Sequence, residues 1–181
     1  MTGIGGQGIQ LMAKVLAQAA IRERREVMTF GLFKGMIRGG SSESTVVVAD
    51  CEIVAPPIVP RVWAVLAMHP EGLPKLAPKV ERGGVLVLNT SLVTRPPAWE
   101  DVTPIAVPAA ALAKQAGQAM GAGMVLLGAF AAATGLVAVT SLQAALVDVL
   151  PSHRRALADA NRLCVDAGAA HVVATVPAWS H

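Results

Sequence analysis

Tyrosine is absent from this chain, and phenylalanine and tryptophan contribute three residues each. So few rings cannot build the stacking platforms on which single-stranded nucleic acid lies. Charge is sparse too: charged side chains make up 15% of the 181 residues and leave a net of +3. No basic cluster interleaves with aromatics, so nucleic acid is not expected as a partner. Cysteine is limited to Cys51 and Cys164, far apart in sequence. That excludes a CxxC ligand set for zinc or an iron–sulfur cluster within the chain. Two lone thiols suit a reducing cytoplasm, and spacing alone leaves a disulfide between them open. No room for a secretory leader precedes the first motif, so the expected localisation is cytoplasmic.

What is plentiful is apolar. Apolar residues form 54% of the chain, above the usual share. The length suits one domain, 1–181, with a full core, and the apolar excess points to a subunit interface. The stretch Gly121 to Val139 carries no charge and approaches the roughly 20 residues of a membrane span. Its alanines and glycines supply little transfer energy, and Thr134-Gly135 punctuates it. A buried helix in a tight helix–helix or subunit contact is the better expectation, with no membrane association.

Against this background the opening stands out. Gly3, Gly5 and Gly8 make a G-x-G-x-x-G pattern, followed at once by an apolar helical run from Ile9 to Ile21. A helix that opens from such a turn aims its free N–H groups and positive dipole end at the turn, a seat for phosphate. The alternative is a tight β–α turn with no ligand. A nicotinamide dinucleotide would need an Asp or Glu about 20 residues further on for the ribose hydroxyls. Counting from Gly8 lands on Val27-Met28-Thr29-Phe30 and then Gly31-Leu32, where no acid stands. The loop is therefore read as a seat for a phosphorylated group other than a nicotinamide dinucleotide.

Gly31 to Ser44 is the second informative segment. Its glycines bracket Lys34 and Arg38, and Ser41, Ser42 and Ser44 follow. Backbone N–H groups, hydroxyls and two cations together suit phosphate or carboxylate; a plain surface connector is the alternative. Around these loops the pattern predicts a helix from Gln7 to Arg25, with a solvated mixed-sign end at Arg22–Glu26. It predicts a short buried strand at Val27–Phe30 and a central strand at Thr45–Ala49. A proline-bearing connector follows at Ile53–Pro60, then strands at Val62–Met68, Gly84–Asn89 and Pro104–Val107. His69 is read as a structural histidine, and Glu71–Lys79 as a short helix broken by Pro74 and Pro78. From Ala109 the chain reads as mostly helical, through Leu142–Leu150 and His153–Ala167, with a cap at Pro151-Ser152. Val172–Val176 reads as strand or tail. The fold class is α/β: a Rossmann-like, mostly parallel sheet with flanking helices and a helical C-terminal third. Both glycine loops then fall on one sheet edge.

Taken together, Gly3-Ile4-Gly5-Gly6-Gln7-Gly8 and Arg38-Gly39-Gly40-Ser41, the latter followed by Thr45–Val48 and Ile53-x-x-Pro56, resemble the gamma subunit of 2-oxoacid:acceptor oxidoreductases. The family acts on pyruvate, ketoisovalerate, 2-oxoglutarate or aromatic oxoacids. The likeness extends to the Met124–Gly128 run before Thr134-Gly135, and the Arg-Gly-Gly form leans toward the 2-oxoglutarate and aromatic branches. The resemblance implies a multi-subunit oxidoreductase that decarboxylates a 2-oxoacid and releases acyl-CoA. It places thiamine diphosphate, Mg and iron–sulfur clusters on alpha-, beta- and delta-type partner subunits, with ferredoxin or another carrier as acceptor. By the same resemblance this chain carries no catalytic or metal residue. It helps hold coenzyme A through Gly5, Gly6, Gln7, Gly8, Lys34, Arg38, Gly39, Gly40 and Ser41. The chain departs from the family where an asparagine is expected before Met124, because Gly123 stands there. A purely structural assembly subunit and an independent nucleotide-binding enzyme are the alternative readings.

Overall fold

The computed structural model describes residues 1–33, 40–54, 59–95, 97–150, 155–173 and 176. Among them six strands form one sheet in the order β2-β3-β1-β4-β5-β6. These are β1 (Thr2–Ile4), β2 (Glu26–Phe33), β3 (Ser41–Ala49), β4 (Val62–Ala67), β5 (Val80–Asn89) and β6 (Val102–Val107). From β1 through β6 the neighbours run parallel, whereas β3 is antiparallel to both β1 and β2. The mostly parallel α/β sheet read from the sequence is present.

The hairpin differs from expectation. β3 begins at Ser41 rather than Thr45; it lies inside the sheet, as expected of Thr45–Ala49, and is the returning arm of an antiparallel β2–β3 pair. Serine is a weak strand former, but its intrinsic preference is small beside a continuous ladder. Here Ser42 and Ser44 face inward and are buried. β2 spans eight residues instead of Val27–Phe30 and lies at the sheet's outer edge, with Phe30 and Leu32 39% and 49% exposed. It is not the buried strand that its apolar sequence suggested.

β4 and β5 are apolar on both faces, as strands covered on both sides must be. Alternation sends Leu66, Val85 and Val87 into the larger core and Val65, Ala67, Leu86 and Leu88 into a smaller one with Leu73 and Val93. The larger core lies under α1 (Ile9–Arg22), α3 (Ala109–Gln115), α4 (Ala122–Thr134), α5 (Val139–Val149) and α6 (Arg155–His171). The smaller is covered by the short α2 (Leu73–Leu76) between two 3-10 turns, Pro70–Gly72 and Ala77–Lys79. Pro74 and Pro78 stand in the first positions of their turns, where a missing N–H costs nothing. His69 caps the first of these turns, its Nδ1 accepting from Glu71 N at 3.4 Å, which is the structural role expected of it.

α1 starts at Ile9, later than Gln7, because Gly8 is left-handed at φ 75°. It ends at Arg22, sooner than Arg25, with Arg24 left-handed at φ 63°. Its charged end is partnered rather than merely solvated. Arg22 forks onto the Asp148 carboxylate of α5 at 2.7 and 2.9 Å, and Glu23 accepts from Ala138 N at 2.7 Å. The Arg22 bonds hold the Asp148 carboxyl below its ordinary range.

α4 is apolar on every side, and a helix of that kind belongs inside. All of its residues except Ala132 are buried. A Cβ at Gly128 would collide with the Val165 carbonyl of α6, and one at Gly168 with the Val125 carbonyl of α4. The two helices therefore touch backbone to backbone, the close helix contact expected of Gly121–Val139. No helix among the described residues is long and apolar enough to cross a membrane. Gly135 ends α4 in the left-handed conformation at φ 65°, and Val176 N returns to Ala133 O at 2.8 Å. Val172 and Val173 form no strand, and the expected Pro151-Ser152 cap lies outside the described residues. Cys51 is exposed and Cys164 buried, so both are free thiols, and burial pushes the Cys164 thiol up.

Gly128→Ala is expected to lower stability by about 1–3 kcal/mol, the usual cost of forcing atoms into a packed contact, read as a lower urea midpoint. Cys51 is expected to react with a thiol reagent in the native protein, and Cys164 only after denaturation.

Candidate functional site

The C-terminal edge of the parallel strands gathers the first glycine loop, the start of β3 and the turn after β4. The loop is self-supporting. Gln7 Oε1 accepts from Ile4 N at 2.9 Å, and Gln7 N donates to Ile4 O at 3.2 Å. Gly6 and Gly8 have positive φ of 96° and 75°, a conformation that costs side-chain-bearing residues energy. A Cβ on either would meet nothing within 4 Å, so the loop's outer surface is open. Gly3 is the opposite case. A Cβ there would lie 2.6 Å from Gln7 Oε1 and 2.7 Å from Ile9 Cδ1, so it is glycine for packing.

The two sequence segments are joined directly. Gly5 N donates to Gly40 O at 2.8 Å, and Ile4 pairs with Ser41 across the β1–β3 ladder. Gly5, Gly6, Gln7, Gly8, Gly40 and Ser41 thus form one continuous edge. Lys34, Arg38 and Gly39 lie outside the described residues. Ser41 is a strand residue at this edge rather than part of a loop. Gln7 serves the loop's own fold through its amide oxygen.

α1 begins at this edge without a side-chain cap and without an acid in its first turn. Its leading N–H groups and dipole end therefore favour an anion at the open face of Gly6 and Gly8. Sequence reasoning passed over the supports of this arrangement. Gln10 Nε2 donates to Glu43 O at 3.0 Å, tying α1 to β3, and a Cβ at Gly31 would strike Gln10 Oε1 at 2.6 Å. A glycine inside a strand pattern signals such close approach. Gly123 lies against Met12, where a Cβ would come within 2.8 Å of its Sδ and 3.8 Å of Gln7 O. α4 therefore backs the loop at Gly123, and the asparagine that the resemblance led one to expect there would require the Met12 side chain to move aside. Asn89, 1% exposed at the end of β5, donates to Met68 O at 3.4 Å and accepts from Ser91 N at 3.2 Å. Lys75 pairs with Glu43, with both contacts at 2.8 Å, so this cation is already committed.

Residues 1–171 match the family model described as pyruvate ferredoxin/flavodoxin oxidoreductase. The chain belongs to that family. It is a gamma-type subunit of a 2-oxoacid:ferredoxin oxidoreductase. The 2-oxoglutarate synthase subunit KorC of Methanocaldococcus jannaschii is 30% identical over 154 residues, 83% of this chain and 82% of that protein. The ketoisovalerate oxidoreductase subunit VorA of Methanothermobacter marburgensis is 32% identical over 128 residues, 71% of this chain but 26% of its own length. Among solved structures, the keto/oxoacid ferredoxin oxidoreductase gamma subunit of Geobacter sulfurreducens superposes with a TM-score of 0.78 at 29% identity, covering 93% of this chain and 94% of that one. A Magnetococcus marinus 2-oxoglutarate:ferredoxin oxidoreductase shares the fold at TM-score 0.84 and 22% identity, with 99% of this chain aligned to 32% of that chain.

Gln7→Leu is expected to cost about 1–2 kcal/mol by orphaning the Ile4 N–H. Gln7→Glu keeps an acceptor there and should stay within about 0.5 kcal/mol of wild type. Chemical denaturation of both variants checks this.

Proposed function

We propose that this chain positions coenzyme A within a multi-subunit 2-oxoacid oxidoreductase, in a single domain spanning 1–181, and performs none of the bond-breaking itself. The Gly5–Gly40 hydrogen bond carries this reading, because it makes one anion-facing edge of two segments that sequence could only suspect of cooperating. The uncapped start of α1 and the open faces of Gly6 and Gly8 would receive a CoA phosphate. Lys34 and Arg38, which follow β2 in sequence, would add the cations, and Gly39 a backbone donor. The Magnetococcus relative, whose fold this chain shares, has a structure with 2-oxoglutarate, coenzyme A and succinyl-CoA bound.

In this reading thiamine diphosphate with Mg and the iron–sulfur clusters sit on alpha-, beta- and delta-type partner subunits and supply decarboxylation and electron transfer to ferredoxin or another acceptor. This chain's part is electrostatic and geometric. Backbone donors and Arg38 hold the nucleotide end of CoA, so that its thiol reaches the partner's reacting centre. Such contacts stabilise ground and transition states alike, and so act on KM rather than turnover. The complex is proposed to be cytoplasmic.

A second role has its own support. Phe30 and Leu32 on the outer strand are large and exposed, as a surface made for a partner subunit would be. Assembly and CoA binding are therefore tested together. In the intact complex, Arg38→Ala removes a charge-assisted hydrogen bond of roughly 1.5–3 kcal/mol. At about 1.4 kcal/mol per tenfold, the KM for CoA should rise on the order of ten- to a hundredfold while kcat changes little. Gln7→Glu should raise it too, by placing a carboxylate in the phosphate seat. Native mass spectrometry on the same preparations separates the roles: loss of subunits ahead of any loss of CoA affinity assigns Arg38 to assembly. An intact complex with unaltered CoA affinity removes Arg38 from both.

A further inference from the structure

The two edges of the sheet are built differently. β6 closes one side and carries Pro104 in mid-strand, and proline has no N–H to offer an added strand. β2 closes the other side with none of the devices that usually blunt an edge. It is eight residues long, pairs with β3 in one unbroken register, holds no proline and bears a single charge, Glu26, at its end. Among the described residues no strand lies beyond it.

The ladder fixes which groups that edge presents. Met1 N donates to Ser44 O at 2.8 Å and Ser44 N to Met1 O at 3.0 Å, so the backbone groups of Ser44 turn toward β1. Antiparallel alternation then turns those of Thr45 and Val47 toward β2, where they meet Phe30 and Met28. The N–H and C=O groups of Val27, Thr29, Gly31 and Phe33 therefore point outward, away from the sheet. Exposed backbone of this kind is a template for another strand. Apolar side chains accompany it. Gly31 faces Gln10 of α1, so Met28, Phe30 and Leu32 lie on the opposite face, where Phe30 and Leu32 are exposed.

We infer that β2 is a docking edge for a second copy of this chain. Two β2 strands pair antiparallel about a two-fold axis at Phe30 and join two six-stranded sheets into one. In this register Thr29 lies opposite Gly31 of the second copy and Val27 opposite Phe33, so the outward N–H and C=O groups of all four residues find partners. Phe30 meets its own counterpart in the closely spaced, non-hydrogen-bonded position, an aromatic pair flanked on either side by Met28 against Leu32. Glu26 falls beyond the paired stretch, so no like charges oppose each other within it. The contact uses the edge up and closes on itself, as a two-fold interface must. A strand from a different subunit would need the same length, spacing and uncharged pattern, which β2 supplies to itself. This pairing does not depend on coenzyme A binding, and its failure would leave that reading untouched.

In sedimentation the chain at high micromolar concentration should run at twice its 18.6 kDa and dissociate on dilution. Dimerisation should slow exchange of the Val27, Thr29, Gly31 and Phe33 amides at least ~10-fold. The Met28, Phe30 and Leu32 amides, already bonded to β3, should change little. Phe30→Lys sets two ammonium groups opposite each other at the axis, and Thr29→Pro removes an outward donor at an edge that tolerates proline. Both variants should run as monomers with the circular dichroism spectrum of the wild type. The intact complex should hold two copies of this chain, with the same alternating protection in β2. A chain that stays monomeric and unprotected, alone and in the complex, overturns the inference, as does a dimer that survives both substitutions. Protection of the four amides in a complex holding one copy of this chain also overturns it, and gives the edge to another subunit's strand.

Discussion

α4 and α6 meet with no side chain between them, and the rest of the helical layer is arranged around that contact. Gly128 and Gly168 each admit the other helix's carbonyl, which lets two main chains approach more closely than any Cβ would allow. α4 is thereby held at the middle of the layer and is buried on every side. Its first turn then comes to rest on Met12 of α1 through Gly123. The glycine loop is positioned by that support from behind as much as by the strand it follows.

The loop has a division of labour among its glycines. Gly3 is small because Gln7 and Ile9 occupy the space around it, whereas Gly6 and Gly8 face open space and are glycine for their backbone angles. Gln7 closes the turn internally, which leaves the leading amides of α1 unspent. Such a loop is organised before any ligand arrives, so little ordering entropy is lost on binding.

Much of this was legible because it follows from short-range rules. The turn-then-helix at Gly3–Gly8, the strands Val62–Met68 and Gly84–Asn89, and the uncharged helical stretch Gly121–Val139 each follow from the pattern within one segment. The hairpin was harder to see. Ser41–Ser44 reads as loop by propensity, and only pairing with a distant Glu26–Phe33 makes it strand. β2 was read as buried because its residues are apolar, but position at a sheet edge is decided by topology and leaves no mark within the strand itself. The supports at Gln10, Gly31 and Gly123 are long-range contacts between unremarkable residues. Gly123 stood out only as a departure from the family pattern, and Gly31 was read as the start of a loop, although a glycine within a strand is itself a sign of close approach. The cations at Lys34 and Arg38 rest on sequence and resemblance, outside the described residues.

The insertion of β1 between β3 and β4 has a consequence for biosynthesis. β1 comes first in chain order, yet its two neighbours are not complete until Ala49 and Ala67 have been made. Until then its edges have nothing to pair with, and α1 has no sheet on which to lay its apolar face. Folding cannot proceed outward from the amino end; it has to wait for the hairpin and β4 and then draw the first strand in between them. Non-local closure of this kind is slow and leaves strand edges exposed meanwhile. The glycine loop, which follows β1, is among the last parts of the nascent molecule to take shape.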